Sequence, residues 1–126
     1  NGVEVNIMTP GVPDKWYVHA VSRAHYEALT EAGVRIYEYT PGFIHAKNML
    51  CDDMFAVCGT INLDYRSLTL PFENACLFVD HPVVKAVKKD FEDTFPRCRE
   101  VALREYRFNI LYETYLGLLR LFAPLL

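Results

Sequence analysis

Several features that would place a protein in a special class are missing from this sequence. No apolar run reaches the roughly eighteen residues of a membrane span, and no secretory signal is visible. The four cysteines form no C-x-x-C pair, so neither a zinc site nor a disulfide framework is indicated. Because Cys51, Cys58 and Cys76 lie in apolar runs, we expect buried, free thiols and a reducing compartment. The 126 residues, without repeats or linkers, predict a single domain.

An excess of positive charge is also lacking. The chain has 13 Lys and Arg against 16 Asp and Glu, a formal net charge of -3. Proteins that bind nucleic acid usually carry a basic field over the surface that meets the phosphates. The charge balance therefore argues against nucleic acid as the main partner.

The hydrophobic pattern predicts an α/β sandwich domain. Val3, Val5 and Ile7 alternate with polar residues, as in a half-buried strand, and a helix is expected from Lys15 to Ala32. Asp14 is its expected N-cap, and Gly33 is expected to end it. The remaining predicted elements are strands at 34–39, 43–51, 54–60 and 74–79, a polar turn at 62–67, and helices at 82–95 and 101–121.

One motif in the predicted strand region carries chemistry. From His45 the sequence follows the pattern H-x-K-x4-D-x6-G-[ST]-x-N, with every gap kept. Its specified positions are His45, Lys47, Asp52, Gly59, Thr60 and Asn62. On a strand, His45 and Lys47 would project from the same face, whereas Asp52, at an odd spacing, would point away. We therefore expect a structural role for Asp52.

The residue types of the motif suit a phosphate group. Lys47 supplies a positive charge, Thr60 and Asn62 supply neutral donors, and Gly59 allows close approach of a ligand to the backbone. Together they could stabilise the charge of a phosphoryl transition state without a metal ion. His45 is the expected nucleophile, because a neutral imidazole can attack phosphorus and form a phosphohistidine.

The motif resembles that of the phospholipase D superfamily, and the wider sequence is most similar to the C-terminal half of bacterial cardiolipin synthases. Four segments carry this resemblance: 42–47, 59–67, 72–74 and 121–126. It implies a central mixed β-sheet flanked by helices. It also implies transfer of a phosphatidyl group between two phosphatidylglycerol molecules, with no cofactor or metal. Glu73 matches the carboxylate that orients the histidine in this family; the alternative is an ordinary glutamate at a strand edge.

A single motif accounts for half of such a site. The resemblance implies that residues 1–126 are one phospholipase D-like domain, a fragment of a longer two-motif chain. The partner is then the N-terminal half or a second copy, as in homodimeric nucleases and phosphodiesterases of the superfamily. Two alternatives to the transferase stay open: a homodimeric phosphodiesterase or nuclease of the same superfamily, and a half-domain that is inert in isolation. One half does not tell which of the two histidines attacks.

Two further features have two interpretations each. Arg66 either forms an ion pair with Asp64 in a turn or lies near the mouth of the substrate site. The amphipathic pattern over 108–121 fits packing against the core or contact with a membrane surface. For the family, we expect the cytoplasmic face of the bacterial cell membrane, with any anchor upstream of this sequence.

Overall fold

A computed structural model of the protein describes residues 2–70, 72–102, 114, 115, 117 and 118. In chain order its elements are β1 (Asn6–Pro10), α1 (Trp16–Arg23), α2 (Tyr26–Glu31), β2 (Arg35–Tyr39), β3 (Asn48–Cys51), β4 (Phe55–Gly59), α3 (Tyr65–Thr69), β5 (Ala75–Val79), α4 (Pro82–Thr94), a 3₁₀ turn (Phe95–Arg97) and β6 (Cys98–Glu100). Within this described part, no helix has the length and apolarity needed to cross a membrane.

The predicted α/β class is confirmed, with the strands distributed over two three-stranded sheets. One sheet has the order β1-β2-β6 and is mixed, because β1 is parallel to β2 whereas β6 is antiparallel to it. The other has the order β3-β4-β5 and is antiparallel throughout. The sheets belong to two compact units, and the second unit consists of His45–Pro96.

The first strand lies further along the chain than the alternating pattern predicted. Pairing begins where the Val5 carbonyl accepts a hydrogen bond from Arg35 N at 2.9 Å, and β1 then continues to Pro10. Val3, which the pattern placed on the buried face, is 77% exposed. The prediction of a strand over 3–7 was therefore wrong at its start, because β2 offers a partner only from that point.

The single predicted helix over 15–32 is two helices. Its ladder breaks where His25 N donates to Ser22 O at 3.1 Å, a tighter turn than the α-helix makes. Asp14 is not the cap, since Lys15 occupies the N-cap position and no side chain caps the helix. Gly33 does end the second helix, with a positive φ of 91°.

A buried carboxylate on β2 forms ion pairs with α1 and β6. Glu38 on β2 is 2% exposed and accepts from Arg23 Nε at 2.8 Å and from Arg99 at 2.7 Å. The two guanidiniums approach from α1 and β6, so the charge is paired from both neighbouring elements. The apolar core beside it contains Tyr26 and Ile36.

In the second unit, α4 covers one face of the β3-β4-β5 sheet. Ala56 on β4 packs with Val84 and Val87 on the helix, and all three are buried. The helix begins as predicted after His81, whose ring nitrogen accepts from Val83 N at 3.2 Å, with Pro82 in the first turn. This packing holds the three strands whose ends form the site.

Two further predictions were wrong in part. All four cysteines are free, as predicted, but Cys51 and Cys76 are exposed rather than buried, because Cys51 ends β3 and Cys76 lies on β5, an edge strand of its sheet. Val101 does not begin a helix; its N–H donates to Ile36 O at 2.9 Å, so the chain still follows β2 there. Residues 114, 115, 117 and 118 are helical, as predicted, and the rest of the predicted helix over 103–121 lies outside the described residues.

Candidate functional site

The motif residues meet at one end of the β3-β4-β5 sheet. His45 and Lys47 precede β3, Thr60 and Asn62 follow β4, and Glu73 precedes β5. Because neighbouring strands of this sheet run in opposite directions, these three boundaries lie at the same end. The chain contacts there are Gly59 N to Lys47 O at 3.3 Å and Thr60 N to Asn74 O at 2.9 Å.

An open cleft of about 250 Å³ lies between these boundaries. Its lining residues are His45, Lys47, Gly59, Thr60 and Asn62. Five of the six motif positions therefore face one space of a size suited to a phosphate group and part of its substituents. Every lining residue belongs to the second unit.

The geometry around His45 differs from the prediction of a continuous strand over 43–51. Strand β3 begins only at Asn48, and residues 43–47 have no regular secondary structure. The reason lies in the partner strand: β4 ends at Gly59, so positions before Lys47 have no ladder to join. Lys47 Nζ instead donates to the backbone carbonyl of His45 at 2.7 Å. This bond connects the Lys47 side chain to the backbone that carries His45.

Lys47 is the cation of the cleft. Partial burial lowers the pKa of its ammonium, while the carboxylates of Glu73 and Asp64 oppose that shift. An ammonium has three N–H donors, of which the bond to the His45 carbonyl uses one. The lysine is therefore held in place by the segment before β3 and can still turn donors toward an anion.

Gly59 is required by chain packing, which is a different reason from the one predicted. A Cβ atom at this position would lie 2.3 Å from Asn74 O and 2.6 Å from the Cα of Ala75. The glycine therefore lets β5 approach β4 at the rim of the cleft. The backbone bond from Thr60 N to Asn74 O follows directly from that approach.

Thr60, Glu73 and Asn74 form a hydrogen-bonded group beside the cleft. The Thr60 hydroxyl donates to Glu73 Oε2 and accepts from Asn74 N at 3.1 Å. A threonine hydroxyl has one proton, so in this arrangement it cannot also donate to a phosphate. Thr60 thus orients the carboxylate of Glu73. Asn74, which sequence reasoning missed, is recognisable only from the pairing of β5 with the end of β4.

Asp52 lies at the opposite end of β3 from the cleft. It occupies the turn between β3 and β4 with a φ of 50°, a left-handed conformation that aspartate tolerates better than most residues. Its neighbour Asp53 pairs with Lys88 on α4 at 2.5 Å. The motif aspartate therefore belongs to the hairpin turn.

The segment after Asn62 is a short helix instead of the predicted turn. Asp64 caps α3 by accepting from Ser67 N at 2.6 Å, the usual behaviour of an aspartate at an N-cap. The preference of aspartate for the N-cap position is the sequence signal from which α3 could have been predicted. Arg66 lies exposed within α3, and the Asp64 carboxylate is directed to the helix backbone.

Comparison with known proteins identifies the family to which this chain is similar. Residues 1–95 match the family model described as "Cardiolipin synthase, PLD-like domain". An uncharacterized protein of Streptococcus mutans is 44% identical over 99% of this chain and 27% of its own length. The cardiolipin synthase of Clostridium perfringens strain SM101 is 33% identical over 100% of this chain and 27% of its own. Cardiolipin synthase 1 of Bacillus anthracis is 35% identical over 100% of this chain and 25% of its own.

This chain spans about a quarter of the length of the curated relatives it matches. The model match covers well over half of the sequence. The chain belongs to the phospholipase D-like domain family of cardiolipin synthases.

Proposed function

We propose that this chain supplies one half of the active site of a phosphatidyltransferase that makes cardiolipin from two phosphatidylglycerol molecules. The observation that carries the proposal is the cleft in which His45, Lys47, Thr60 and Asn62 face one phosphate-sized space. The names of the relatives from Clostridium and Bacillus support the same reaction class.

The reaction proceeds in two displacements. An unprotonated nitrogen of His45 attacks phosphorus, the bond from phosphorus to the terminal glycerol breaks, and glycerol leaves with a proton from a second histidine. That histidine then takes the proton from a hydroxyl of a second phosphatidylglycerol. The resulting oxygen attacks phosphorus, the phosphorus–nitrogen bond breaks, and cardiolipin is released.

The other residues have separate roles. Lys47 and Asn62 stabilise the charge on the phosphoryl oxygens, as preorganised donors do in other phosphoryl-transfer sites. Glu73, oriented by Thr60, accepts a hydrogen bond from the far N–H of the His45 ring and, remaining ionised, stabilises the imidazolium. Arg66 provides positive charge near the mouth of the cleft, where an anionic lipid arrives. No step uses a cofactor.

The second histidine comes from a partner of this chain. We propose the N-terminal half of a longer chain as its source, with a second copy of this chain as the alternative. The lipid substrate implies a membrane surface, and the family implies its cytoplasmic face in a bacterium.

A substrate with an acidic leaving group tests the nucleophile without the partner half. Phosphatidyl-p-nitrophenol needs no general acid, so His45 should displace p-nitrophenol and leave a phosphatidyl adduct visible by mass spectrometry. His45→Ala should abolish the adduct. His81→Asn is the matched control, because asparagine also caps helices and His81 lies outside the cleft. An adduct that survives His45→Ala would refute the assignment.

A further inference from the structure

An exposed apolar surface lies directly beside the cleft, on the segment between Asn62 and Glu73. We define the apolar lip by its five large side chains: Leu63, Tyr65, Leu68, Leu70 and Phe72. Each is more than half exposed, from 57% for Tyr65 to complete exposure for Phe72. Single exposed hydrophobic residues are normal on protein surfaces, but five within ten residues indicate an interaction site.

The core of this unit does not use these side chains. The buried cluster consists of Ala56, Val84 and Val87, with partly buried neighbours on β3, β4, β5 and α4. The backbone at 64–70 within this segment is nevertheless held by hydrogen bonds. Asp64 caps α3, Leu68 N donates to Asp64 O at 3.1 Å, and Leu70 N donates to Arg66 O at 2.9 Å. Tyr65 and Leu68 of the lip are therefore presented by α3.

The position of the lip restricts what can cover it. Leu63 and Phe72 follow and precede the site residues Asn62 and Glu73, so their Cα atoms lie about 3.8 Å from those of the site. In a phosphatidyl group, the glycerol backbone and two acyl chains begin a few bonds from the phosphorus. A phosphate bound in the cleft therefore places the start of the acyl region beside the lip.

The composition of the lip fits a lipid surface. Its side chains are aliphatic or aromatic, and tyrosine and phenylalanine suit the boundary between acyl chains and headgroups. Two charged residues lie on the same segment: the Asp64 carboxylate is directed to the helix backbone, and Arg66 offers a cation to anionic headgroups.

From these observations we infer that the apolar lip inserts into the phosphatidylglycerol surface and holds the cleft at the level of the headgroups. This inference rests on the proposed function, since it takes the phosphate of a phospholipid as the occupant of the cleft. It assigns lipid contact to 63–72, a different segment from the C-terminal helix suggested by the amphipathic pattern.

Single-tryptophan fluorescence tests the inference at matched positions. In a Trp16→Phe background, Leu68→Trp places the probe on the lip and Leu77→Trp places it on β5. The native leucines are 61% and 62% exposed, so the two positions start equally accessible. With phosphatidylglycerol vesicles brominated on the acyl chains, we expect a blue shift and strong quenching at position 68 and neither at position 77.

Three outcomes would overturn the inference: no quenching at position 68, equal quenching at both positions, or a blue shift at position 68 that appears without vesicles and grows with protein concentration. The last would assign the lip to contact with a second copy. As a further check, Leu68→Ser should weaken sedimentation with the vesicles about tenfold, whereas Leu77→Ser should not.

The reaction of His45 is measured separately from the contact between the lip and lipid. Adduct formation from a short-chain, monomeric phosphatidyl-p-nitrophenol reports on His45 without any vesicle. An adduct without quenching at position 68 would overturn this inference alone, and quenching without an adduct would overturn the proposed function alone.

Discussion

The hydroxyl of Thr60 donates its proton to the carboxylate of Glu73, which joins the end of β4 to the start of β5 at the rim of the cleft. The backbone reinforces this contact, since Asn74 N donates to the same hydroxyl at 3.1 Å and Asn74 O accepts from Thr60 N at 2.9 Å. The hydroxyl at the Ser/Thr position of the motif therefore orients the glutamate. It donates to a bound phosphate only if its hydrogen bond to Glu73 is broken.

Removing the Thr60 hydroxyl should slow formation of the His45 adduct. Thr60→Val keeps the shape of the side chain but releases Glu73, and loss of a hydrogen bond to a charged group predicts a decrease of about tenfold in rate. Thr60→Ser keeps the hydroxyl and should stay close to the parent. The measurement is release of p-nitrophenol with time, and equal rates for the two variants would contradict the role of the hydroxyl.

A methyl group at Gly59 should destabilise the protein. The added Cβ would lie 2.3 Å from Asn74 O, so β5 must move away from β4. We expect Gly59→Ala to lower the free energy of unfolding by about 1–3 kcal/mol, the usual cost of overpacking. Gly42→Ala is the control, because a Cβ there meets nothing within 4 Å. Urea unfolding of both variants checks the prediction, which fails if they are equally stable.

The charge state of Lys47 should set the alkaline limit of phosphate binding. Since burial lowers the pKa of this lysine, the ammonium loses its proton, and the cleft its cation, at a lower pH than an ordinary lysine would. Glu73 raises the pKa, so Glu73→Gln should move the limit to still lower pH. The quantity to measure is the pH midpoint for binding of glycerophosphoglycerol, a soluble phosphodiester, by calorimetry.

Asp64→Asn provides a graded comparison for that titration. The Asp64 carboxylate also raises the pKa of Lys47, but less than Glu73 does, and asparagine preserves the helix cap. The midpoint should therefore shift in the same direction by a smaller amount. A midpoint that moves upward in either variant would refute the electrostatic coupling.

The buried carboxylate of Glu38 should contribute strongly to stability. Glu38→Gln leaves Arg23 and Arg99 without their anion, and because both guanidiniums keep some contact with solvent we expect a loss of about 2 kcal/mol. Glu4→Gln removes an exposed pair with Arg35 and should cost less than about 0.5 kcal/mol. Chemical unfolding measures the free energy of unfolding of both variants. Equal losses would mean that the burial of Glu38 adds nothing to the contribution of its ion pairs.

Much of the second unit follows from local sequence. Pro82 after a capping histidine predicts the start of α4, and alternating apolar runs predict β4 and β5 to within a residue or two. Five of the six motif positions lie at strand ends that antiparallel pairing brings together, whereas Asp52 lies at the opposite end of β3. Spacing and residue type carry this information along the chain.

The tertiary structure decided the features that depend on a partner strand or on exposure. His45 lies outside a strand because β4 ends at Gly59 and offers no further ladder, a fact that the sequence around His45 does not contain. Thr60 is directed to Glu73 because the packing of β5 against a glycine brings them together. Likewise, leucines at 63, 68 and 70 carry the same hydrophobic signal as core residues. Only the position of α4 on the sheet determines which leucines are buried and which remain in contact with solvent.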